Sequence, residues 1–325
     1  MVFNKKLENF NPFSKKDFIS VEQITSLREI EYLFQIADLM KEAVEKKKKS
    51  FLLEDKTLVI LFYQPSTRTF TSFQAAAQWL GCQRIIAIAG MEFYSSAVKG
   101  ESLPDTIRTV EQTTNCDLII LRHPDDNSSE IAARYANVPV INAGSGKKEH
   151  PTQALLDLYT IRQKFGHFEN LNIAMLGDLK NGRTVKSLSL LLGVVSSKIS
   201  IVFVSPPELK IPKEFLEKLK EKGMKIKETE NLEEVLPEID VLYVTRIQKE
   251  WFENEEEYQK VKGSYVITPE IMKKAKRKMI VMHPLPRVDE IDFRFDSDPR
   301  AFYFYQIRNG LYIRMALIAA ILGKF

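Results

Sequence analysis

The sequence predicts an α/β protein made of two doubly wound parallel sheets, and two observations carry that expectation. Nine short apolar runs recur along the chain with helical patterns between them, and one long helical stretch divides them into two groups. The runs are apolar throughout, not alternating, which is the pattern of strands covered on both faces.

In the first group "TLVILFY", "RIIAIAG", "CDLIILR" and "VPVINAG" are the strands. Ahead of them Ile30, Leu33, Phe34, Ala37 and Met40 mark one face of an amphipathic helix, and the charge run "EKKKKS" at Glu45 to Ser50 reads as its solvated end. The stretch "HPTQALLDLYTIRQKFGHF" is the helix between the groups, with His150 at its entrance and Pro151 at the first helical position. In the second group "LNIAMLGD", "KISIVFVS", "GMKIKE", "DVLYVTR" and "KMIVMHP" follow. A chain of 325 residues has room for two such domains, and neither a repeat nor a low-complexity linker interrupts it.

Composition narrows the function. Forty-seven basic against forty-three acidic residues leave a net charge of only +4, which argues against a nucleic-acid partner. Cys82 and Cys116 have neither metal-ligand spacing nor a disulfide framework, so a reducing compartment is the default and neither is expected to be catalytic. The segment "MVFNKKLENFNPF" lacks a signal-like apolar core, and the apolar run "LYIRMALIAAILG" is short for a membrane span and carries Arg314. A soluble cytoplasmic protein without a membrane partner is expected.

The chemistry concentrates where strands end. "FYQPSTRTFTSF" places Arg68 and the hydroxyls of Ser66, Thr67, Thr69 and Thr71 at a strand-to-helix turn, with Phe73, Ala77 and Leu80 at helical spacing behind them. Hydroxyls and a guanidinium at the positive end of a helix suit an oxyanion, above all phosphate; a simple helix cap would need one hydroxyl, not four. Arg122 and His123 end the third strand, "NAGSGKKEHPTQ" follows the fourth, "GDLKNGRT" the fifth, "TRIQ" the eighth and "HPLPR" the last. Ligands of open α/β sheets collect outside the carboxyl ends of strands, so one cleft is expected to receive four arginines, a histidine and two glutamines.

Each motif has a plainer reading. His150 could merely cap its helix, but beside Arg68 and Arg122 it is expected to be a neutral donor to a polarised carbonyl. "GDLKNGRT" has the spacing of a phosphate-binding P-loop, yet Arg183 stands where the lysine would be, and no strand ends in a magnesium-binding acid. Arg183 and Arg246, with Gln248, could clamp a dicarboxylate bidentately, or "TRIQ" could be an ordinary strand-end turn. In "HPLPR" a cis bond between Leu285 and Pro286 would turn a backbone carbonyl toward the cleft.

Together "PSTRT", "HPTQALLDLYTI", "GDLKNGRTVKSL", "TRIQKE", "HPLPRVDEI" and "YQIRNGLYIRMALI" resemble, in order and from about Phe18 onward, the catalytic chains of the aspartate carbamoyltransferase family. The sister family acting on ornithine usually shows cysteine-containing versions of the "HPTQ" and "HPLP" stretches, which this chain lacks. The resemblance implies a carbamoyl phosphate-binding domain over 1–165, an aspartate-binding domain over 166–305, and a C-terminal helix, 306–325, packing back on the first.

It also implies roles. Ser66, Thr67, Arg68 and Thr69 would hold the phosphate; Thr69, Arg122 and His150 would meet the carbamoyl oxygen; Gln153 and the carbonyl of Leu285, in the turn with Pro286, would meet the carbamoyl nitrogen. Arg183, Arg246 and Gln248 would bind the aspartate carboxylates. "YSSAVKGESLPDT" resembles a mobile loop whose Ser95 and Lys99 reach a neighbouring subunit's site in a homotrimer, Lys99 joining the aspartate contacts. The implied reaction makes N-carbamoyl-L-aspartate for pyrimidine synthesis without metal or cofactor, and the resemblance admits a regulatory chain as a further partner. Gln64, Phe70 and Trp251 depart from the family, where glutamate, arginine and arginine are frequent, and the first and last put cooperative domain closure in doubt. A phosphate sensor would need only the "STRT" cluster, and an ornithine enzyme would need acidic groups that "TRIQ" does not supply.

Overall fold

The computed structural model describes residues 10–325 apart from 49, 250, 251 and 253. The chain forms two compact units, one of Met1–Leu156 with Arg308–Phe325 and the other of Asp157–Ile307. The division falls within the helix Pro151–Phe165, and the helix Tyr303–Ile321 carries the chain back.

In the first unit strands β1 (Thr57–Phe62), β2 (Arg84–Ala89), β3 (Leu118–His123) and β4 (Val140–Ser145) form one sheet in the order β2-β1-β3-β4. In the second, β5 (Asn172–Leu176), β6 (Ser200–Val204), β7 (Lys225–Thr229), β8 (Val241–Val244) and β9 (Ile280–Met282) run in the order β7-β6-β5-β8-β9. Every pairing is parallel. All nine apolar runs of the sequence are these strands.

The expectation that each strand is covered on both faces fails at one edge of each sheet, β2 and β7. β1, β4, β8 and β9 are buried throughout, but Ile86 and Ile88 of β2 are exposed, and β7 is mostly exposed or half-buried with Lys225, Lys227 and Glu228 in water. The lysines of β7 discourage pairing with another strand; the isoleucines of β2 do not.

Local chemistry accounts for the helices that matter. Ser26 and Glu29 form a reciprocal capping box that starts the helix Leu27–Glu45, whose Ile30, Leu33, Phe34, Ala37 and Met40 are buried as patterned. Its charged end is solvated at Lys46, Lys47 and Lys48, while Lys49 lies outside the described residues. The helix Thr67–Trp79 buries Thr69, Phe73, Ala76 and Ala77. Arg314, the one charge in the last apolar run, is buried and donates from Nη1 to Ser72 Oγ at 2.8 Å, its guanidinium 5.1 Å from the Phe73 ring centroid. Among the described residues no helix is long and apolar enough to cross a membrane.

Candidate active site

Strand order decides where the candidate residues of each unit sit. In the first sheet the winding reverses between β1 and β3, so the chain leaving β1 and the end of β3 flank the switch point, with β4 beside them. Phe62 is in register with Arg122, and Tyr63 N donates to the Arg122 carbonyl at 2.9 Å. The "STRT" turn and Arg122 therefore leave the sheet as neighbours.

Ser66 is the N-cap of the helix Thr67–Trp79 by backbone geometry, but its hydroxyl makes no capping bond. The plain reading of a capping serine is thus removed. The first bond closing this helix is Phe70 N to Ser66 O, so the amides ahead of Phe70 belong to the helix's positive end. Thr71 is otherwise engaged, donating to Thr67 O at 2.7 Å. Phe70, the departure beside it, packs edge-on to Phe62 at 5.2 Å between ring centroids. Gln64 is half-buried, and Trp251 lies outside the described residues.

His150 is buried and follows a tight turn in which Ser145 N donates to Glu149 O. Its Nε2 stands 3.4 Å from Thr69 Oγ1, which joins residues 81 positions apart. Arg122 donates from Nη1 to Ala143 O of β4 at 3.2 Å, fixing the guanidinium over that strand's end. Gln153, also buried, lies one turn into the helix that His150 opens, its amide donating to His150 O. His123 has a different part: it packs on Tyr63 at 4.3 Å between centroids, accepts at Nδ1 from Asp125 N, and burial lowers its pKa.

Sequence reasoning missed what holds His150. Glu149 is buried, accepting from Ser20 Oγ at 2.7 Å and Val21 N at 2.9 Å, while Phe18 pairs with Ile141 alongside β4. The segment before the first helix is therefore the outer wall of this turn. Nothing local marks a contact made across 129 residues.

In the second unit the reversal lies between β5 and β8, with β9 next to β8. "GDLKNGRT", "TRIQ" and "HPLPR" leave these three adjacent strands. Arg183 opens the helix Arg183–Val195, and Arg246 and Gln248 follow β8, all three partly buried. Gly177 has φ +113°, and a Cβ there would lie 2.2 Å from the Thr245 carbonyl oxygen, so the two loops touch backbone to backbone.

The P-loop alternative fails on the loop's own amides. Gly177 N donates to Val204 O, Leu179 N and Lys180 N both donate to Leu209 O, and Asn181 N donates to Asp178 Oδ1. A phosphate nest needs those N–H groups turned toward the ligand. Asp178 is fully buried and held further by Asn181 Nδ2 at 3.2 Å.

Leu285–Pro286 is cis, and Leu285 has φ +56°. Arg287 of the same turn is committed to Asp296, with which it forms an ion pair, and to the Tyr303 hydroxyl. Ser95 caps the 3-10 turn Ser96–Lys99 by accepting from Ala97 N, and Lys99 is exposed. Cys82 and Cys116 are buried, and burial pushes both thiols up, away from the reactive thiolate.

Residues 16–163 match the model of the aspartate/ornithine carbamoyltransferase carbamoyl-P binding domain, and residues 169–321 match that of the Asp/Orn binding domain. The chain belongs to the aspartate/ornithine carbamoyltransferase family. Within this family it is 47% identical over 312 residues to the aspartate carbamoyltransferase catalytic subunit of Methanopyrus kandleri, covering 96% of this chain and 98% of that one. It is 46% identical over 317 residues to the multifunctional protein CAD of Squalus acanthias, covering 97% of this chain but spanning only 14% of that protein's length. A crystal structure of aspartate transcarbamoylase from Trypanosoma cruzi in complex with carbamoyl phosphate superposes with a TM-score of 0.90 at 40% identity, covering 96% and 98% of the two chains.

Proposed function

We propose that this chain transfers the carbamoyl group of carbamoyl phosphate to the amino group of L-aspartate, releasing N-carbamoyl-L-aspartate and phosphate in de novo pyrimidine synthesis. The observation that carries the reading is the convergence of the uncapped Ser66 turn, Thr69, Arg122 and His150 at one switch point. Family membership supports it, and the internally bonded "GDLKNGRT" loop argues against nucleotide hydrolysis.

The first unit supplies the donor side. Ser66, Thr67, Arg68 and Thr69 hold the phosphate, while Thr69, Arg122 and His150 donate to the carbamoyl oxygen and Gln153 meets the carbamoyl nitrogen. The second unit supplies Arg183, Arg246 and Gln248 for the two carboxylates of aspartate and the Leu285 carbonyl, beside Pro286, for the carbamoyl nitrogen. The aspartate amine attacks the carbamoyl carbon, negative charge develops on the carbonyl oxygen, and the C–O bond to phosphate breaks as a proton passes from the amine to the departing phosphate. Fixed donors at that oxygen and the placing of two anionic substrates contribute most of the acceleration.

The same reading makes the protein a cytoplasmic homotrimer in which Ser95 and Lys99 complete a neighbour's site. It is supported by the exposed Ile86 and Ile88 on the edge strand β2 and by Phe93, Tyr94 and Val98 around the loop, Tyr94 being 87% exposed. Phosphate release from carbamoyl phosphate should require L-aspartate. Equal release with L-ornithine, or phosphate release from ATP alone, would overturn the assignment.

A further inference from the structure

The turn that carries Leu285 is held by two side chains that the reaction itself does not use. His283 and Glu290 are buried, at 1% and 7% exposure. Leu285 N lies 2.7 Å from His283 Nδ1. A backbone N–H can only donate, so Nδ1 is the acceptor and the ring proton sits on Nε2, which donates to Glu290 Oε1 at 2.7 Å. The other carboxylate oxygen accepts from Val288 N at 3.1 Å and Asp289 N at 3.2 Å. The turn from 283 to 290 is thereby fastened near its beginning and at its end by one imidazole–carboxylate pair.

The pair is anchored in its turn. His283 N donates to Gln306 Oε1 at 2.8 Å, Gln306 Nε2 donates to Asp157 Oδ1 at 2.6 Å, and the Tyr243 hydroxyl of β8 donates to Asp157 Oδ2 at 2.7 Å. Asp157 is fully buried, and these two donors satisfy one carboxylate oxygen each. Burial raises the Glu290 carboxyl, but the hydrogen bonds from His283 and from the backbone amides more than reverse that and hold it below its ordinary range.

We propose that His283 and Glu290 are positioning residues that set the direction of the Leu285 carbonyl and so select a ligand bearing an N–H donor at that point. A leucine at φ +56° keeps that conformation only where its neighbours impose it, and the ring of His283 grips its N–H. With the N–H side fixed, the carbonyl of the same residue has little freedom to turn. A carbonyl only accepts, so a fixed one rewards an amide N–H and penalises a group that cannot donate. The inference rests on the reading above that Leu285 meets the carbamoyl nitrogen.

The test compares two stable anions on the full chain by titration calorimetry: phosphonoacetamide, which carries the amide N–H, and inorganic phosphate, which does not. Wild type should bind phosphonoacetamide more tightly. His283→Ala should raise its Kd about tenfold, the loss of one hydrogen bond, and leave the phosphate Kd within about twofold of wild type. His283→Asn should fall nearer wild type, because an asparagine oxygen accepts from the amide two residues on in an Asx-turn. Should the alanine variant fail to fold, Glu290→Gln, which keeps the volume but cannot accept at every position, is expected to give the same selective loss. Equal weakening of both anions, or a preference for phosphonoacetamide that survives in the variants, overturns the positioning role. A wild type with no preference overturns the Leu285 assignment itself, and this inference with it.

Discussion

Thr69 Oγ1 and His150 Nε2 stand 3.4 Å apart, both side chains buried. They come from the helix after β1 and the turn after β4, so the hydroxyl and the imidazole address one point from two directions. Thr69→Val removes the hydroxyl at nearly constant volume and should lower kcat/KM for carbamoyl phosphate about 100-fold, as for one oxyanion donor. Thr69→Ser should recover most of that loss. Steady-state kinetics on variants shown to be folded by circular dichroism decide the matter, and a valine variant with near-normal turnover removes Thr69 from the reaction.

Glu149 should leave a signature in stability against pH. Burial holds its carboxyl above the ordinary value of 4.5, against the pull of Ser20 and Val21. A carboxyl raised on folding binds its proton more tightly in the folded chain, so its contribution is fully present below about 4.5 and is lost as pH rises through the higher folded value. Glu149→Gln cannot ionise, and rotation of the Ser20 hydroxyl lets the amide be accepted. The Tm of Glu149→Gln relative to wild type should therefore climb as pH rises above 4.5 and level off once the folded carboxyl has ionised. A difference independent of pH would show that Glu149 is not the linked group.

Gly177→Ala should damage one half of the protein selectively. The new Cβ would lie 2.2 Å from Thr245 O at a φ of +113°, so the loops carrying Arg183 and Arg246 must separate. A loss of about 2 kcal/mol or more is expected, with weaker binding of the dicarboxylate succinate. Inorganic phosphate should bind as before. Loss of both ligands together would mean that the substitution unfolds more than this loop pair.

Subunit mixing tests the shared site. Lys99→Ala and Arg68→Ala chains, each inactive alone, should regain about one quarter of wild-type activity when dissociated and remixed equally, since one directional interface in four then carries neither lesion. Mixed oligomers that stay inactive would place every site within a single chain.

The nine strands were legible because a buried parallel strand is apolar along its whole length, and that is a local property. Their order was not. Which strand lies at an edge depends on pairing partners, and so β2, largely apolar in sequence, proves exposed, as does β7, whose Lys225, Lys227 and Glu228 already break its apolar pattern. Thr69 and His150 could be placed together because loops at the carboxyl ends of the strands of one open sheet gather around its switch point. Ser20 with Glu149, and Gln306 with Asp157, could not, since single polar residues 129 and 149 positions apart carry no shared pattern. The P-loop spacing of "GDLKNGRT" misleads for a related reason: spacing records which residues are present, whereas phosphate binding depends on where their amides point.

The return of the chain to its first unit has a consequence for biosynthesis. Asn11 Nδ2 donates to Ala320 O and Phe325 O, Lys15 N to Ile321 O, and Arg314 to Ser72 on the helix that opens with the "STRT" turn. These partners emerge from the ribosome only after 157–307 has been made. The unit begun first is thus completed last, and during translation its nascent β1 and following helix wait with an uncovered apolar flank for a chaperone or for the final helix. A nonsense or frameshift lesion near residue 310 would accordingly leave the first unit without its closing helix and without the Arg314 contact to Ser72, some 240 codons upstream, although every residue of the second unit had already been made.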